Sequence, residues 1–228
     1  MNTKKRVLLL VGSAKHPHST SESLGTYLIE KLQERGFETE TFFIHKSLNS
    51  DDRREALLSA TNHADIIVMA FPLYVDCLPY LVIRTMELIA KNCQEKKDLM
   101  EQSLLCIVNN GFPEAHQNET AIAICRKFAR ETGFKWAGGL ALGGGEAING
   151  KPLLEVKGMM ARHVIKSLNL TADALSAGKS VPQEAVKIMA KPFIPRWMYI
   201  CLGGMRWKRD AKKHGVHKKL YNRPYHSS

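Results

Sequence analysis

A hydroxyl-rich segment, GSAKHPHSTSES at residues 12–23, carries the clearest chemical signal in the sequence. It follows an apolar run and precedes a helical pattern, so its hydroxyl groups surround a helix N-terminus. Hydroxyls, free backbone N–H groups and the positive end of the helix dipole together bind anions such as phosphate. The segment is neither a Walker loop nor a GxGxxG fingerprint, and a plain hydroxyl-rich helix cap is the alternative. The candidate phosphate ligands are Ser13, Lys15, Ser19, Thr20, Ser21 and Ser23.

Two further segments could form the walls of a binding site for a planar ring. AFPLYVDCLP, residues 70–79, places Tyr74 between two prolines that stiffen the loop, or it forms a hydrophobic turn that packs on neighbouring helices. NNGFPEAHQN, residues 109–118, offers exposed backbone amides and Phe112 as a wall. The glycines of GLALGGGEAING, residues 139–150, allow close approach by a ligand or form a mobile loop.

Alternating strand and helix patterns must position these segments. Helical spacing follows residue 19, where Ser19 and Glu22 form a capping box, and recurs after residues 79, 118 and 155. Strands joined by helices predict an α/β fold with a doubly wound parallel sheet, in which ligands bind outside the carboxyl ends of the strands. The predicted strands are Arg6–Val11, Glu38–Ile44, Asp65–Ala70, Leu104–Asn109 and Trp136–Leu142, and the segments above follow the first, third, fourth and fifth of them.

The net charge of +11 on 228 residues is concentrated at one end of the chain. Residues 179–228 hold twelve of the 33 Lys and Arg but only two of the 22 Asp and Glu, so they carry +10 and residues 1–178 carry +1. We therefore predict a domain over residues 1–178 and a basic, partly helical C-terminal extension over residues 179–228. The five cysteines lack disulfide or metal-site spacing and no signal peptide pattern is present, which predicts a cytoplasmic protein.

The three loops together resemble a known family. GSAKHPHSTSES, FPLYVDCLP and NNGFPE, in this order over residues 5 to 175, are similar to the NAD(P)H-dependent FMN reductases. The first loop resembles the family pattern GSPRxxGNT, with Ala14 for Pro and Lys15 for Arg, and the second resembles its P-x-Y element. The resemblance implies a flavodoxin-like three-layer sandwich, with a five-stranded parallel sheet in the order 2-1-3-4-5 and helices on both faces.

The resemblance also implies a cofactor and the residues that contact it. FMN phosphate would lie against Ser13, Lys15, Ser19, Thr20 and Ser21. The flavin ring would lie against Pro72, Leu73, Tyr74, Val75 and Asp76, with Asn110, Gly111 and Phe112 on the third loop. Lysine in place of arginine loses bidentate geometry toward phosphate.

We expect the flavin itself to carry the chemistry, so the protein needs no dedicated catalytic side chain and no metal. NADPH or NADH would supply hydride, and electrons would pass to a small acceptor such as a flavin or quinone. A homodimer is common in the family. The alternatives are a flavodoxin-type electron carrier, which the near-neutral body disfavours, and a membrane-surface flavoprotein whose tail directs binding.

The basic extension mixes aromatic residues with positive charge. Three uses are physically reasonable: a strap over the protein's own body or a dimer mate, an amphipathic membrane-surface anchor, or a nucleic-acid contact. Apolar residues that share one helical face precede most of the basic ones, which favours docking of that face over a nucleic-acid arm. These apolar residues are Ile194, Trp197, Met198 and Cys201, with Met205 extending the face.

Overall fold

Five parallel strands form the centre of the molecule in the computed structural model, which describes residues 4–15, 17–95, 101–156 and 161–223. Their order, β2-β1-β3-β4-β5, confirms the predicted doubly wound sheet. The central strands β1, β3 and β4 are apolar and buried apart from polar residues at their ends, as expected of strands covered by helices on both faces, whereas the more polar β2 lies at an edge. The strands are β1 (Arg6–Val11), β2 (Glu38–Phe43), β3 (Ile66–Pro72), β4 (Ser103–Asn109) and β5 (Lys135–Leu142).

The described residues also form eight α-helices and four short 3₁₀ helices. The α-helices are α1 (Thr20–Gln33), α2 (Ile44–Ser47), α3 (Asp51–His63), α4 (Tyr80–Glu95), α5 (Glu119–Thr132), α6 (Arg162–Ser176), α7 (Gln183–Met189) and α8 (Arg196–Lys213). The 3₁₀ helices are Ala115–Asn118, Gly145–Ala147, Leu153–Glu155 and His217–Lys219.

The helices form the outer layers of a three-layer sandwich. Helices α1 and α6 share one hydrophobic core with one face of the sheet, and Met189 of α7 joins that core. Helices α3, α4 and α5 pack on the opposite face. The i, i+4, i+8 spacing of Leu24, Leu28 and Leu32 predicts one buried side of a helix, and all three are buried on α1.

Three helices differ from the sequence-based expectation, the first being the short α2, which begins at Ile44 where the second strand was expected to end. Helix α3 was not predicted, because it buries only Leu57 and Thr61 and so lacks a strong apolar period. The pattern from residue 155 predicts one long helix, but the chain forms a 3₁₀ turn at Leu153–Glu155 and α6 begins at Arg162. Met160, predicted to face inward there, lies outside the described residues.

The chain divides into two compact units, Met1–Phe193 and Ile194–Ser228. The first extends past the boundary predicted at residue 178, because α7 packs on α6 and β5 and buries Ala185 and Met189. The backbone N–H of Val181 also donates to the carbonyl oxygen of Ala137 at the edge of β5, at 2.8 Å. Among the described helices, none is long and apolar enough to cross a bilayer.

All five cysteines are free thiols, and three of them are buried. Cys106 lies on β4 and Cys125 on α5, both fully inaccessible, and Cys93 is buried on α4. Burial raises the pKa of the Cys106 thiol well above its usual range, and the hydrogen bond with Cys125 raises it further. Cys77 and Cys201 are exposed.

We expect two thiols of the native protein to react rapidly with a disulfide reagent near pH 8, and all five after unfolding in urea. The Cys106 thiol stays protonated in the folded chain at pH values just above about 8.5, whereas the same thiol ionises there in the unfolded chain. Its contribution to stability is therefore complete below about pH 8.5 and declines as the pH rises above that value. Urea unfolding at pH values about one unit below and one unit above 8.5 measures the loss of stability, and Cys106→Ala is the control that lacks this titration. Rapid reaction of three or more native thiols would contradict the buried cluster.

Candidate functional site

The hydroxyl-rich segment forms the loop between β1 and α1, and Glu22 sets its shape. Ser19 is the N-cap of α1 and its hydroxyl accepts from the backbone N–H of Glu22 at 3.1 Å. In return the Glu22 carboxylate accepts from the backbone N–H groups of His18 and Ser19 at 3.0 and 3.3 Å. The predicted capping box is confirmed. His18 adopts φ +74°, which glycine favours, and it stands at the glycine position of the pattern GSPRxxGNT.

The five phosphate ligands that the family resemblance implies lie around the N-terminus of α1, whereas the hydroxyl of Ser23, the sixth candidate, donates to the carbonyl oxygen of Ser19 at 3.2 Å. Ser13 accepts from the backbone N–H of Lys15 at 3.3 Å, and the Thr20 hydroxyl donates to the carbonyl oxygen of Gly145 at 2.8 Å. Ser13, Ser19 and Ser21 are buried, Thr20 is half-buried and Lys15 is exposed. Because Ser13 and Ser19 act as acceptors in these bonds, each keeps an O–H hydrogen that an anion could accept.

Asn109, at the end of β4, connects the first turn of α1 with the ends of β3 and β4, a role that sequence reasoning missed. Its side-chain amide donates to the Ser21 hydroxyl at 2.8 Å and to the carbonyl oxygen of Phe71 at 3.3 Å. Asn109 is 6% exposed and Ser21 is 1% exposed, so the hydrogen bond between them is shielded from solvent. Ser21 thus braces the loop against β4. The only available signal was a polar residue that ends an otherwise apolar strand.

The segment after β5 packs against the other loops, which decides the role of its glycines. The N–H groups of Gly144 and Gly145 donate to the carbonyl oxygens of Phe112 and Asn110 at 2.6 and 2.8 Å. A Cβ on Gly143 would stand 2.3 Å from the carbonyl oxygen of Pro113. The glycines therefore permit close approach between two protein loops, which neither sequence-based alternative anticipated.

The same segment then reaches the first loop. Gly150, at φ +72°, lies so close to His18 that a Cβ would meet its backbone carbonyl group. The Lys15 ammonium group donates to the Asn149 side-chain oxygen at 3.3 Å. Residues 145–150 therefore hold the loop that contains the predicted phosphate ligands.

The second predicted segment, after β3, forms a tight turn. The backbone groups of Tyr74 and Cys77 exchange two hydrogen bonds of 2.9 and 3.0 Å, so Val75 and Asp76 are the two residues of a hairpin loop. Both have positive φ, at 48° and 58°, which is strained for a β-branched valine. Pro72 ends β3 and Leu73 is half-buried, whereas Tyr74 is 47% exposed and Val75 98% exposed. The turn therefore presents an aromatic and an aliphatic side chain to solvent.

The third loop leaves β4 beside this turn, because Pro72 and Asn109 are partners in the sheet register. Phe112 is 59% exposed, and a Cβ on Gly111 would meet nothing within 4 Å. The Asn110 amide donates to the carbonyl oxygen of Glu114 at 3.1 Å, but its own oxygen is buried with no hydrogen-bond partner among the described residues. Such an orphaned acceptor fits a ligand that carries an N–H group.

Metal ligation is a separate question from these loops. Within the parts of the chain that the structure describes, no three His, Cys, Asp or Glu side chains are grouped so that they could hold a metal ion.

Comparison by sequence finds no protein-family model and no curated protein that matches this chain. Comparison by structure does. The flavodoxin of Streptococcus pneumoniae TIGR4 aligns over 76% of this chain and 98% of its own, with a TM-score of 0.50 and 15% identity. The fold is flavodoxin-like. This bears out at the level of the fold the resemblance that the three loops carry.

Two further structures that match this one carry the names of oxidoreductases. The NADH:FMN oxidoreductase EmoB, in its apo form, aligns over 86% of this chain and 99% of its own, with a TM-score of 0.56 and 16% identity. The rubredoxin oxygen:oxidoreductase of Desulfovibrio gigas has a TM-score of 0.54 and 12% identity over 77% of this chain. This chain covers only 36% of that enzyme's length. The flavodoxin-like fold therefore serves several activities, and the function must be argued from the site.

Proposed function

We propose that the protein is an FMN-dependent NAD(P)H oxidoreductase that reduces a small acceptor such as a flavin or quinone. The observation that carries the proposal is the meeting of a hydroxyl-rich helix N-terminus with two exposed aromatic side chains on adjoining loops. These three loops lie at the carboxyl ends of β1, β3 and β4. In a flavodoxin-like sheet the β1/β3 switch point is where FMN binds.

The residues of the first loop suit the phosphate of FMN. Ser13 and Ser19 each keep an O–H donor beside the first turn of α1, where Thr20 also lies, and the helix dipole favours an anion there. Lys15 adds a positive charge that is exposed and tethered only to a neutral amide in the described contacts. Ser21, bonded to Asn109, keeps this cradle in place behind the other ligands.

The residues of the second and third loops suit the flavin ring. Tyr74 and Phe112 offer exposed aromatic surface, and the strained turn at Val75 and Asp76 fixes how far the second loop projects. The buried side-chain oxygen of Asn110 has no hydrogen-bond donor among the described residues, and an N–H group at the edge of the flavin ring would supply one. When bound, FMN would accept hydride from the nicotinamide and deliver electrons to the acceptor.

The purified protein is expected to be yellow, to release FMN on denaturation, and to show flavin bleaching when NADPH or NADH is added without oxygen. Tyr74→Ala should weaken FMN binding roughly tenfold, since an aromatic stacking contact is worth about 1–3 kcal/mol. Tyr80→Ala is the matched control, because Tyr80 is also an exposed tyrosine but begins α4.

The outcomes separate the alternatives. FMN binding without bleaching by either nicotinamide would indicate an electron carrier and overturn the reductase proposal. Absence of FMN binding, or equal weakening by Tyr74→Ala and Tyr80→Ala, would overturn the proposed flavin site itself.

A further inference from the structure

Helix α8, in the second compact unit, exposes nearly all of its side chains. Along its 18 residues only Ala211 is buried, while Trp197 and Trp207 are 65% and 73% exposed. Ile200 and Met205 are exposed to a similar extent. An exposed apolar patch of this kind, bordered by polar residues, marks an interaction surface.

Three large, exposed apolar side chains of α8 lie on one side of the helix and form a stripe. Trp197, Ile200, Gly204 and Trp207 follow a spacing of three, four and three residues. At 100° per residue they fall within an arc of about 80° along one side of the helix. A helix that buries one side in an apolar environment has this arrangement.

Positive charge is concentrated on the other sides of the helix, which also carry Met198, Leu202 and Met205. Arg206, Arg209 and Lys213 lie opposite the stripe, while Lys208 and Lys212 flank it, where long side chains can reach past an apolar boundary. Over residues 194–223 the chain has nine Lys and Arg against one acidic residue, Asp210. This unit therefore holds +8 of the net charge of +11 and is complementary to an anionic surface.

We propose that α8 lies in the surface of an anionic lipid bilayer, with its stripe in the acyl boundary and its basic residues among the headgroups. Tryptophan beside lysine and arginine is typical of interfacial helices, and each basic residue near such a surface strengthens binding. The helix is not apolar enough to span the bilayer. A nucleic-acid contact would use the positive charge but would leave the aliphatic side chain of Ile200 exposed to water. The proposal does not depend on the flavin.

The test is flotation of the full chain with vesicles. With vesicles of phosphatidylcholine plus roughly one third phosphatidylglycerol at about 0.1 M salt, we expect the protein to float with the lipid. Binding to pure phosphatidylcholine should be at least about tenfold weaker, and salt should reduce binding to the anionic vesicles. Tryptophan emission should shift to the blue on binding, and Trp136→Phe, which leaves Trp197 and Trp207, should keep that shift.

Two variants separate the stripe from general hydrophobicity. Trp197→Gln/Trp207→Gln should weaken vesicle binding about tenfold or more, because two large apolar groups are removed from the stripe. Leu202→Gln is the matched control: Leu202 is 48% exposed on the same helix but lies on the basic side, so binding should change less than about twofold. Circular dichroism checks that both variants keep the helix.

Three results would overturn the proposal. The first is failure of the wild-type chain to float with anionic vesicles. The second is equal loss of binding in the stripe variant and in Leu202→Gln. The third is tighter binding to duplex DNA than to vesicles at the same salt, left unchanged in the stripe variant, which would indicate a nucleic-acid arm.

Discussion

Gly150→Ala is expected to destabilise the protein by about 4 kcal/mol, through a disfavoured backbone conformation and a collision. Gly150 has φ +72°, and a Cβ would stand 1.8 Å from the carbonyl oxygen of His18 and 2.2 Å from its carbonyl carbon. Both atoms belong to the backbone of the first loop, so no flexible side chain can move aside. Either residues 149–150 leave that loop or the loop itself shifts.

A matched glycine isolates the collision from the conformation. Gly178 has nearly the same φ, +69°, but a Cβ there would meet nothing within 4 Å. Gly178→Ala should therefore cost only the left-handed backbone term, roughly 1–2 kcal/mol. Urea unfolding of both variants measures the difference. Equal unfolding midpoints would mean that the chain at Gly150 does not lie against His18.

The same substitution bears on the proposed FMN site. Because Gly150 abuts the loop of Ser13, Lys15 and Ser19, Gly150→Ala should weaken FMN binding, whereas Gly178→Ala should leave it unchanged. Titration of the folded variants with FMN, below their unfolding transitions, separates binding from stability.

Asn109→Ala is expected to destabilise the protein by about 3 kcal/mol, because it removes a buried donor and leaves a small cavity. The variant loses the bonds to the Ser21 hydroxyl and to the Phe71 carbonyl oxygen. It thereby releases the first turn of α1 from the ends of β3 and β4. Asn92→Ala is the control: Asn92 also donates to a single side chain, that of Asn62, but it is half-buried on α4 and should cost less than about 1 kcal/mol.

A double-mutant cycle tests whether Asn109 acts through Ser21. Asn109→Ala and Ser21→Ala should be non-additive by about 1–2 kcal/mol, since each already removes the same bond. If the first loop binds the FMN phosphate, both variants should also weaken FMN binding. Strict additivity of the two substitutions would show that the side chains do not share a bond in solution.

Much of the fold could be predicted from the sequence because its signals are local. Apolar runs predicted β1 with its observed ends and the other strands to within one or two residues. Ser19 and Glu22 predicted the start of α1, and Gly133 at φ +79° ends α5 as its position indicates. Helix α3 was missed because two buried residues are too few to form a periodic pattern.

The candidate site could be predicted only in part. Local composition predicted which loops carry hydroxyl and aromatic groups, because strand ends and helix starts are recognisable in the chain. The partners of those groups come from far away: Ser21 meets Asn109 across 88 positions, and Thr20 meets Gly145 across 125. Three consecutive glycines are compatible with a ligand, a mobile loop or a second loop, and only the fold places Pro113 beside Gly143.

The basic extension illustrates the same division. Its charge and its apolar spacing follow from the sequence alone, since both are properties of neighbouring residues. Its true start does not, because Ala185 and Met189 are buried only through packing of α7 on α6 and β5. The sequence by itself thus determined the kind of elements, their order and the chemical character of three loops and a tail. The tertiary structure decided which loops touch, which hydroxyls are already engaged and where the first unit ends, because these depend on contacts between distant segments that no local pattern encodes.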